Sequence, residues 1–167
     1  MSTKLSKTLQ NFLDKNKIKY DVLEHRTVYT ALDKAATLHI KSSAAGKTVV
    51  VALDNKNYAL GLIPANKNLD KKKALATFNK SLAAKYKKID FVSEKWMKAN
   101  IKGVKLGATP PFGALYRLSF FIDNLLLKQP KIIINGGTYE ISLRLAPGAL
   151  LKLNPEAIKG SFSMAKR

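Results

Sequence analysis

The segment with the most chemistry in its backbone is Gly107-Ala108-Thr109-Pro110-Pro111-Phe112-Gly113. Its two glycines admit backbone angles closed to other residues, and its paired prolines stiffen the chain while removing their own N–H groups. The amides of Ala108, Thr109, Phe112 and Gly113 are then expected to point outward, as a cradle for an oxyanion or a phosphate requires. No Gly-Lys-Ser/Thr closes the segment and no dinucleotide fingerprint is present, so this is not a nucleotide loop of either familiar kind. The same residues would also serve as a plain sharp connection. Lys47 is the second candidate: it follows Gly46 and opens Thr48-Val49-Val50-Val51, at the mouth of a buried strand. A lysine that loses hydration there is costly, which suits either an anion-binding role or a gatekeeper on a strand edge. His25, in Glu24-His25-Arg26-Thr27, is a general base or a loop histidine. Asp123, after Ser119-Phe120-Phe121-Ile122, orients a water or a ligand amine, or caps the turn beyond its strand.

Several chemistries are excluded by what the chain lacks. With no cysteine there is no disulfide, thiolate metal site or cysteine nucleophile, and His25 and His39 are too far apart for a helical zinc pair. No metal or cofactor is therefore expected. Thirty Lys and Arg against eleven Asp and Glu in 167 residues give a net charge of +19, which calls for a polyanionic partner. Only Arg26, Arg117, Arg144 and Arg167 are arginine. Lysine binds phosphate as a mobile point charge, whereas reading base edges favours the arginine fork, so sequence-independent attraction to a nucleic-acid backbone is expected. The region from Lys67 to Lys105 holds twelve lysines against Asp70, Asp90 and Glu94. Lys71, Lys72 and Lys73 head this cover, which reads as a solvated face or as a platform for RNA or DNA with salt-sensitive binding. A membrane role is not expected: there is no long apolar run, Ser2 stands where myristoylation needs glycine, and no C-terminal cysteine awaits a prenyl group. The amino terminus has no secretory core, so a cytoplasmic location is expected.

The elements that must position these residues follow from periodicity and capping. Leu5, Leu9, Phe12 and Leu13 predict a first helix ending near Asn16, and Ile18 to Glu24 predicts a strand. Thr30 with Asp33 predicts a capped second helix. Lys47–Leu53 and Tyr58–Pro64 form a hairpin around Asp54-Asn55-Lys56-Asn57, and Leu69 to Lys88 forms a helix beneath lysines. A strand at Ile89–Val92, a helix capped by Ser93 and a strand at Ser119–Ile122 follow. Ile132–Ile134 and Thr138–Leu145 form a second hairpin around Asn135-Gly136-Gly137. A short helix starts near Pro147, and Lys159 to Arg167 is expected to fray. With no repeat and no linker, residues 1–167 are expected to be one α+β domain, a mixed and mostly antiparallel β-sheet with peripheral helices.

Taken in order, Glu24-His25, Val28-Tyr29-Thr30, Gly46-Lys47-Thr48, Leu69-Asp70, Gly107 to Gly113, Asp123 and Asn135-Gly136-Gly137 make the chain resemble the YbaK/ProX superfamily of aminoacyl-tRNA deacylases. These are free-standing relatives of the editing domain of bacterial prolyl-tRNA synthetase. The resemblance runs from about Leu9 to Leu153, and its most specific marks are Lys47 and the Gly-x-x-x-Pro loop matched by Gly107 and Pro111. It implies a trans-editing hydrolase that cleaves the ester between a wrongly attached amino acid and the tRNA 3′ end. Lys47 is then the essential residue, and Gly107, Ala108, Thr109 and Pro111 position the ester. His25, Tyr29, Thr30, Thr48, Phe112, Asp123, Asn135 and Ser142 fall to the substrate side, and Lys71, Lys72 and Lys73 to the tRNA. The partners implied are aminoacyl-tRNA and an aminoacyl-tRNA synthetase. Ser142 and Leu23 stand where the cysteinyl-tRNA branch carries an acidic residue and an aromatic, so a small amino acid such as Ala, Ser or Thr is the expected class. The alternative is a noncatalytic tRNA-binding module with the same fold.

Overall fold

The computed structural model describes residues 5–166, so the expectations for Met1 to Lys4 and for Arg167 lie outside the described residues. Helix α1 (Lys7–Lys15) buries Leu9 and Leu13 and is capped by Ser6, whose Oγ accepts from Leu9 N at 3.3 Å. Strand β1 (Asp21–Glu24) is shorter than the apolar run from Ile18 suggests. Helix α2 (Ala31–Thr37) begins where Thr30 Oγ1 accepts from Asp33 N at 3.1 Å. Strands β2 (Gly46–Leu53) and β3 (Asn57–Pro64) pair antiparallel from Gly46↔Pro64 to Leu53↔Asn57. Their turn holds Asp54 and Asn55 at φ 53° and 56°, the left-handed pair that Asp and Asn tolerate best among residues with a side chain.

Strand β4 (Lys67–Leu69) and helix α3 (Lys71–Leu82) replace the single long helix expected to reach Lys88. Asp70 caps α3 at one end and Ala83, at φ 49°, stops it at the other. Then come β5 (Ile89–Phe91), α4 (Glu94–Asn100), α5 (Gly113–Tyr116), β6 (Ser119–Asp123) and α6 (Asn124–Leu127). The second hairpin is β7 (Ile132–Asn135) and β8 (Ile141–Leu145), with all of 136–140 in its connection. Helix α7 (Pro147–Leu153), β9 (Ile158–Gly160) and β10 (Ser163–Ala165) complete the order.

The expected fraying after Lys159 does not occur among the described residues. Strand β9 pairs with β6, and β10 pairs with β4. The anchor is Asp123, 2% exposed, whose Oδ2 accepts from Phe162 N at 3.0 Å and from Ser163 Oγ at 2.8 Å, while Oδ1 accepts from Leu125 N at 2.9 Å. A buried carboxylate surrounded by donors fixes the segment more firmly than its lysine-rich sequence implies.

The α+β domain is built on a five-stranded sheet of order β5-β2-β3-β6-β9, mixed because β6 runs parallel to both β3 and β9. A three-stranded sheet, β1-β8-β7, and the β10-β4 ribbon flank it. Alternation along β2 and β3 sends Val50, Leu60 and Leu62 into one apolar cluster with Phe112 and Ile134, and Val51, Leu53 and Ile63 into another with Phe78 and Phe121.

The outer edge of the large sheet is interrupted. On its outer edge β2 meets β7 through a single parallel bridge, Ala45↔Ile133, and meets β5 only over Val51–Leu53. Between these contacts the edge is a notch. Ala45 O accepts from Ala65 N on the inner side, whereas Val50 O accepts from Val92 N on the outer side. Because strand residues turn their N–H and C=O to alternate edges, Thr48 presents both groups to the notch.

Candidate active site in the notch of the central sheet

Two residues beyond the Ala45↔Ile133 bridge stand Lys47 on β2 and Asn135 on β7, where the two strands begin to part. Asn135, 6% exposed, is the hub of what lies between them. Its Nδ2 donates to Thr109 O at 3.1 Å and Gly107 O at 3.4 Å, and stands 3.5 Å from Thr48 Oγ1. Its Oδ1 accepts from Lys34 Nζ at 2.5 Å. That last bond fixes which way the amide faces, and so aims the donors at the loop.

The sequence reading missed Lys34. It lies on the face of α2 that carries Ala31, Ala35 and Leu38, and a lysine amid such a stripe was the signal to notice. Only 4% exposed and without a carboxylate beside it, Lys34 has its pKa lowered from 10.5 to about 8 by burial. Lys47 is half-buried, and its Nζ donates to Lys67 O at 2.6 Å. Burial first, and then the positive charge of Lys166, lower its pKa.

The loop is pinned at both ends. Asn135 holds Gly107 and Thr109, while Asn154 Nδ2 donates to Pro111 O at 3.2 Å. Gly107 sits at φ +86°, with Tyr29 O 3.9 Å from the place a Cβ would occupy. The amides do not all point outward as expected: Ala108 N donates to Lys105 O and Phe112 N to Pro110 O, each at 2.9 Å. Thr109 Oγ1, in a residue 3% exposed, has no hydrogen-bond partner among the described residues. Thr48, Gly107, Thr109, Phe91 and Met97 line a crevice of about 210 Å³.

Around this centre, His25 Nδ1 lies 2.8 Å from Arg26 O and Nε2 lies 2.8 Å from Ser142 Oγ. A carbonyl can only accept, so Nδ1 carries the proton and, in the neutral ring, Nε2 accepts from Ser142. Ser142 is opposite Asn135 in the β7–β8 register and fully buried. Tyr29, 67% exposed, packs edge-on against Tyr139 at 4.8 Å, and Tyr139 Oη donates to Leu106 O at 2.6 Å. Thr30 Oγ1 is occupied as the α2 cap.

Two sequence candidates lie apart. Phe112 is fully buried against Phe12, with ring centroids 5.3 Å apart, so its side chain belongs to the core. Asp123 has both oxygens committed to the backbone and Ser163, which leaves it no place on the substrate side. Lys71, Lys72 and Lys73 form the first turn of α3, where their charge opposes the helix dipole, with Asp70 as the acidic cap ahead of them. Lys71 Nζ lies 3.6 Å from Asp90 Oδ1, and Lys73 Nζ donates to Ser163 O at 3.2 Å. Among the described residues no group of His, Asp and Glu could hold a metal, and no helix is long and apolar enough to cross a membrane.

Comparison with known proteins agrees with this fold. The chain is similar to the crystal structure of a hypothetical protein, APE2540, with TM-score 0.81 at 18% identity over 95% of this chain and 100% of the other. It is also similar to the crystal structure of a candidate trans-editing enzyme for prolyl tRNA synthetase, with TM-score 0.76 at 23% identity over 97% and 100% of the two chains. A third structure, a candidate signal transduction protein from Marinobacter aquaeolei, matches with TM-score 0.69 at 16% identity over 96% of this chain but only 31% of its own. At these identities the likenesses establish the fold. No curated protein matches the chain in sequence. The family model of the aminoacyl-tRNA editing domain matches residues 25–153, which take in α2, the notch and the whole Gly/Pro loop, and the chain belongs to that family.

Proposed function

We propose that this protein is an aminoacyl-tRNA deacylase acting in trans, which hydrolyses the ester of a mischarged tRNA and releases a small amino acid. The observation that carries the reading is the notch itself: an open strand edge at Thr48, a loop locked by Asn135, and lysines on both sides. An aminoacyl ester is already activated, so a positioned water and a cradle for the developing oxyanion suffice without a protein nucleophile. Water attacks the ester carbonyl, and the negative charge on its oxygen falls within reach of the Thr48 N–H and the unpartnered Thr109 Oγ1. Collapse breaks the bond to the ribose oxygen, which leaves with a proton as the free hydroxyl, and the amino acid departs as its carboxylate. Lys47 neutralises the terminal phosphate or the charge that develops on the ester. Gly107, Ala108 and Pro111 hold the ester in line, and His25 with Ser142 shapes the amino-acid side.

A crevice of about 210 Å³ is below the ordinary range for ligand pockets and suits a small side chain. Small pockets discriminate poorly between near-isosteres, so cognate aminoacyl-tRNA is protected by the tRNA or by a synthetase partner. Lys71, Lys72 and Lys73 lead the surface that grips the acceptor stem.

The test is a deacylation screen over a panel of mischarged tRNAs with the Lys47→Ala variant beside the wild type. The variant is expected to keep its fold and lose release of the amino acid by about two orders of magnitude or more, the scale of removing one group that stabilises transition-state charge. Unchanged turnover removes Lys47 from the mechanism. Salt-sensitive binding with no turnover on any tRNA replaces the deacylase with a binding module.

A further inference from the structure

Phe91 ends β5 with 54% of its surface in water. Single exposed apolar residues are common and need no purpose. Three observations separate this one. Phe91 lines the same crevice as Thr48, Gly107 and Thr109, and its place opposite Val51 in the β2–β5 register brings its side chain out on Val51's face of the sheet, at the rim of the notch. Lys71 Nζ, 3.6 Å from Asp90 Oδ1, stands over the ring at 5.5 Å from its centroid and so puts a cation on one aromatic face. Thr109 Oγ1, in the same crevice, is buried and has no hydrogen-bond partner among the described residues.

An exposed aromatic ring under a lysine, at the mouth of a mainly apolar crevice on a strongly basic chain, is the arrangement that stacks an unpaired base while the cation holds its phosphate. We infer that Phe91 and Lys71 form a subsite for the terminal nucleobase of the substrate's 3′ end, a purine stacked on Phe91 while the acyl ester enters the notch at Thr48 and Thr109. The inference rests on the deacylase reading of this site. It adds to that reading the group that registers the nucleotide.

The test separates the two ideas because it needs no turnover. Binding of the trinucleotide CCA, of AMP, and of a CC dinucleotide ending in an abasic sugar is measured for the wild type, Phe91→Ala and Phe91→Trp. CCA is expected to bind Phe91→Ala about 10-fold or more weakly than the wild type, as loss of one stacked base predicts, and to bind Phe91→Trp at least as well as the wild type. In Phe91→Trp, indole fluorescence is quenched by CCA and by AMP. The abasic ligand binds wild type and Phe91→Ala alike. On a mischarged tRNA, Phe91→Ala raises KM more than it lowers kcat. Equal affinity of wild type and Phe91→Ala for CCA overturns the inference, as does wild-type binding of the abasic ligand as tight as CCA. Absence of CCA binding to the wild type overturns it too. Phe91-dependent CCA binding with no deacylation of any tRNA leaves the subsite standing and removes the deacylase.

Discussion

The buried polar clusters around Asp123 and Asn135 are built on opposite plans. At the end of β6, Asp123 receives Leu125 N, Phe162 N and the Ser163 hydroxyl, so its charge is met by donors on every side. At the end of β7, Asn135 is met by Lys34, an ammonium with no carboxylate near it, and by a loop whose Thr109 hydroxyl has no partner among the described residues. The first cluster closes the fold. The second leaves a desolvated cation and a hydroxyl without a partner among the described residues, and that imbalance sets it apart from the first.

The largest expected effect tests the first half of that contrast. Asp123→Ala leaves the buried Phe162 N–H and Ser163 hydroxyl without an acceptor, and each unmet buried donor costs about 1–3 kcal/mol. A loss on the order of 3–5 kcal/mol in denaturant unfolding is expected, with early proteolysis after Lys159 and unchanged turnover per folded molecule. Wild-type stability in this variant, or a selective loss of turnover, would make Asp123 part of the site.

Lys34→Met tests the second half, and its sign differs. The folded-state pKa of Lys34 is about 8 against 10.5 for a free lysine, so between these values the unfolded chain binds the proton that the folded chain has released. Stability contributed by this group therefore rises with pH through that window, and below it the buried charge costs on the order of 3 kcal/mol. Lys34→Met removes the cost. At pH 7 the variant is expected to be as stable as the wild type or more so, and its stability between pH 8 and 10 to be flatter, while deacylation falls about 10-fold or more because the Asn135 amide is free to turn. A variant that is destabilised at pH 7 and fully active would make Lys34 a structural residue.

The sequence carried the periodic parts of this fold and the chemistry of single segments, and was silent on what depends on pairing between distant strands. Both hairpins, the Thr30 and Ser93 caps and the Gly107–Pro111 loop are local features, and local residue types specify them. The β10–β4 ribbon and the anchored C-terminal segment are not, because a donor set converging on Asp123 leaves no trace at any one position. The notch was hidden for the same reason: an edge left unpaired between β5 and β7 is a property of three strands. Lys34 was visible as a charge on an apolar stripe, but helix propensity gives lysine a ready explanation and nothing local contradicts it. Phe112 shows the converse error, since its place in a suggestive loop said nothing of its packing against Phe12.

The smallest effect gives the sharpest comparison, because it sets two glycines of similar conformation against each other. Gly107 has φ +86° and Gly103 has φ +82°, and neither would press an added Cβ closely: Gly107 has only Tyr29 O, at 3.9 Å, and Gly103 nothing within 4 Å. Alanine at either site therefore carries the conformational penalty of the left-handed region, about 1–2 kcal/mol, without a clash. The two differ in what a relaxing backbone would disturb. Gly107 O accepts from Asn135 Nδ2, so any rotation that relieves the strain there pulls the loop from its anchor and shifts Thr109 in the crevice. Gly103 has no such bond to the hub. Gly107→Ala and Gly103→Ala are expected to lose similar stability in urea, while only Gly107→Ala loses deacylation, by about 10-fold, with kcat affected more than KM. Equal loss of activity in both would mean that general loosening, and not the link from Asn135 to the loop, governs the notch.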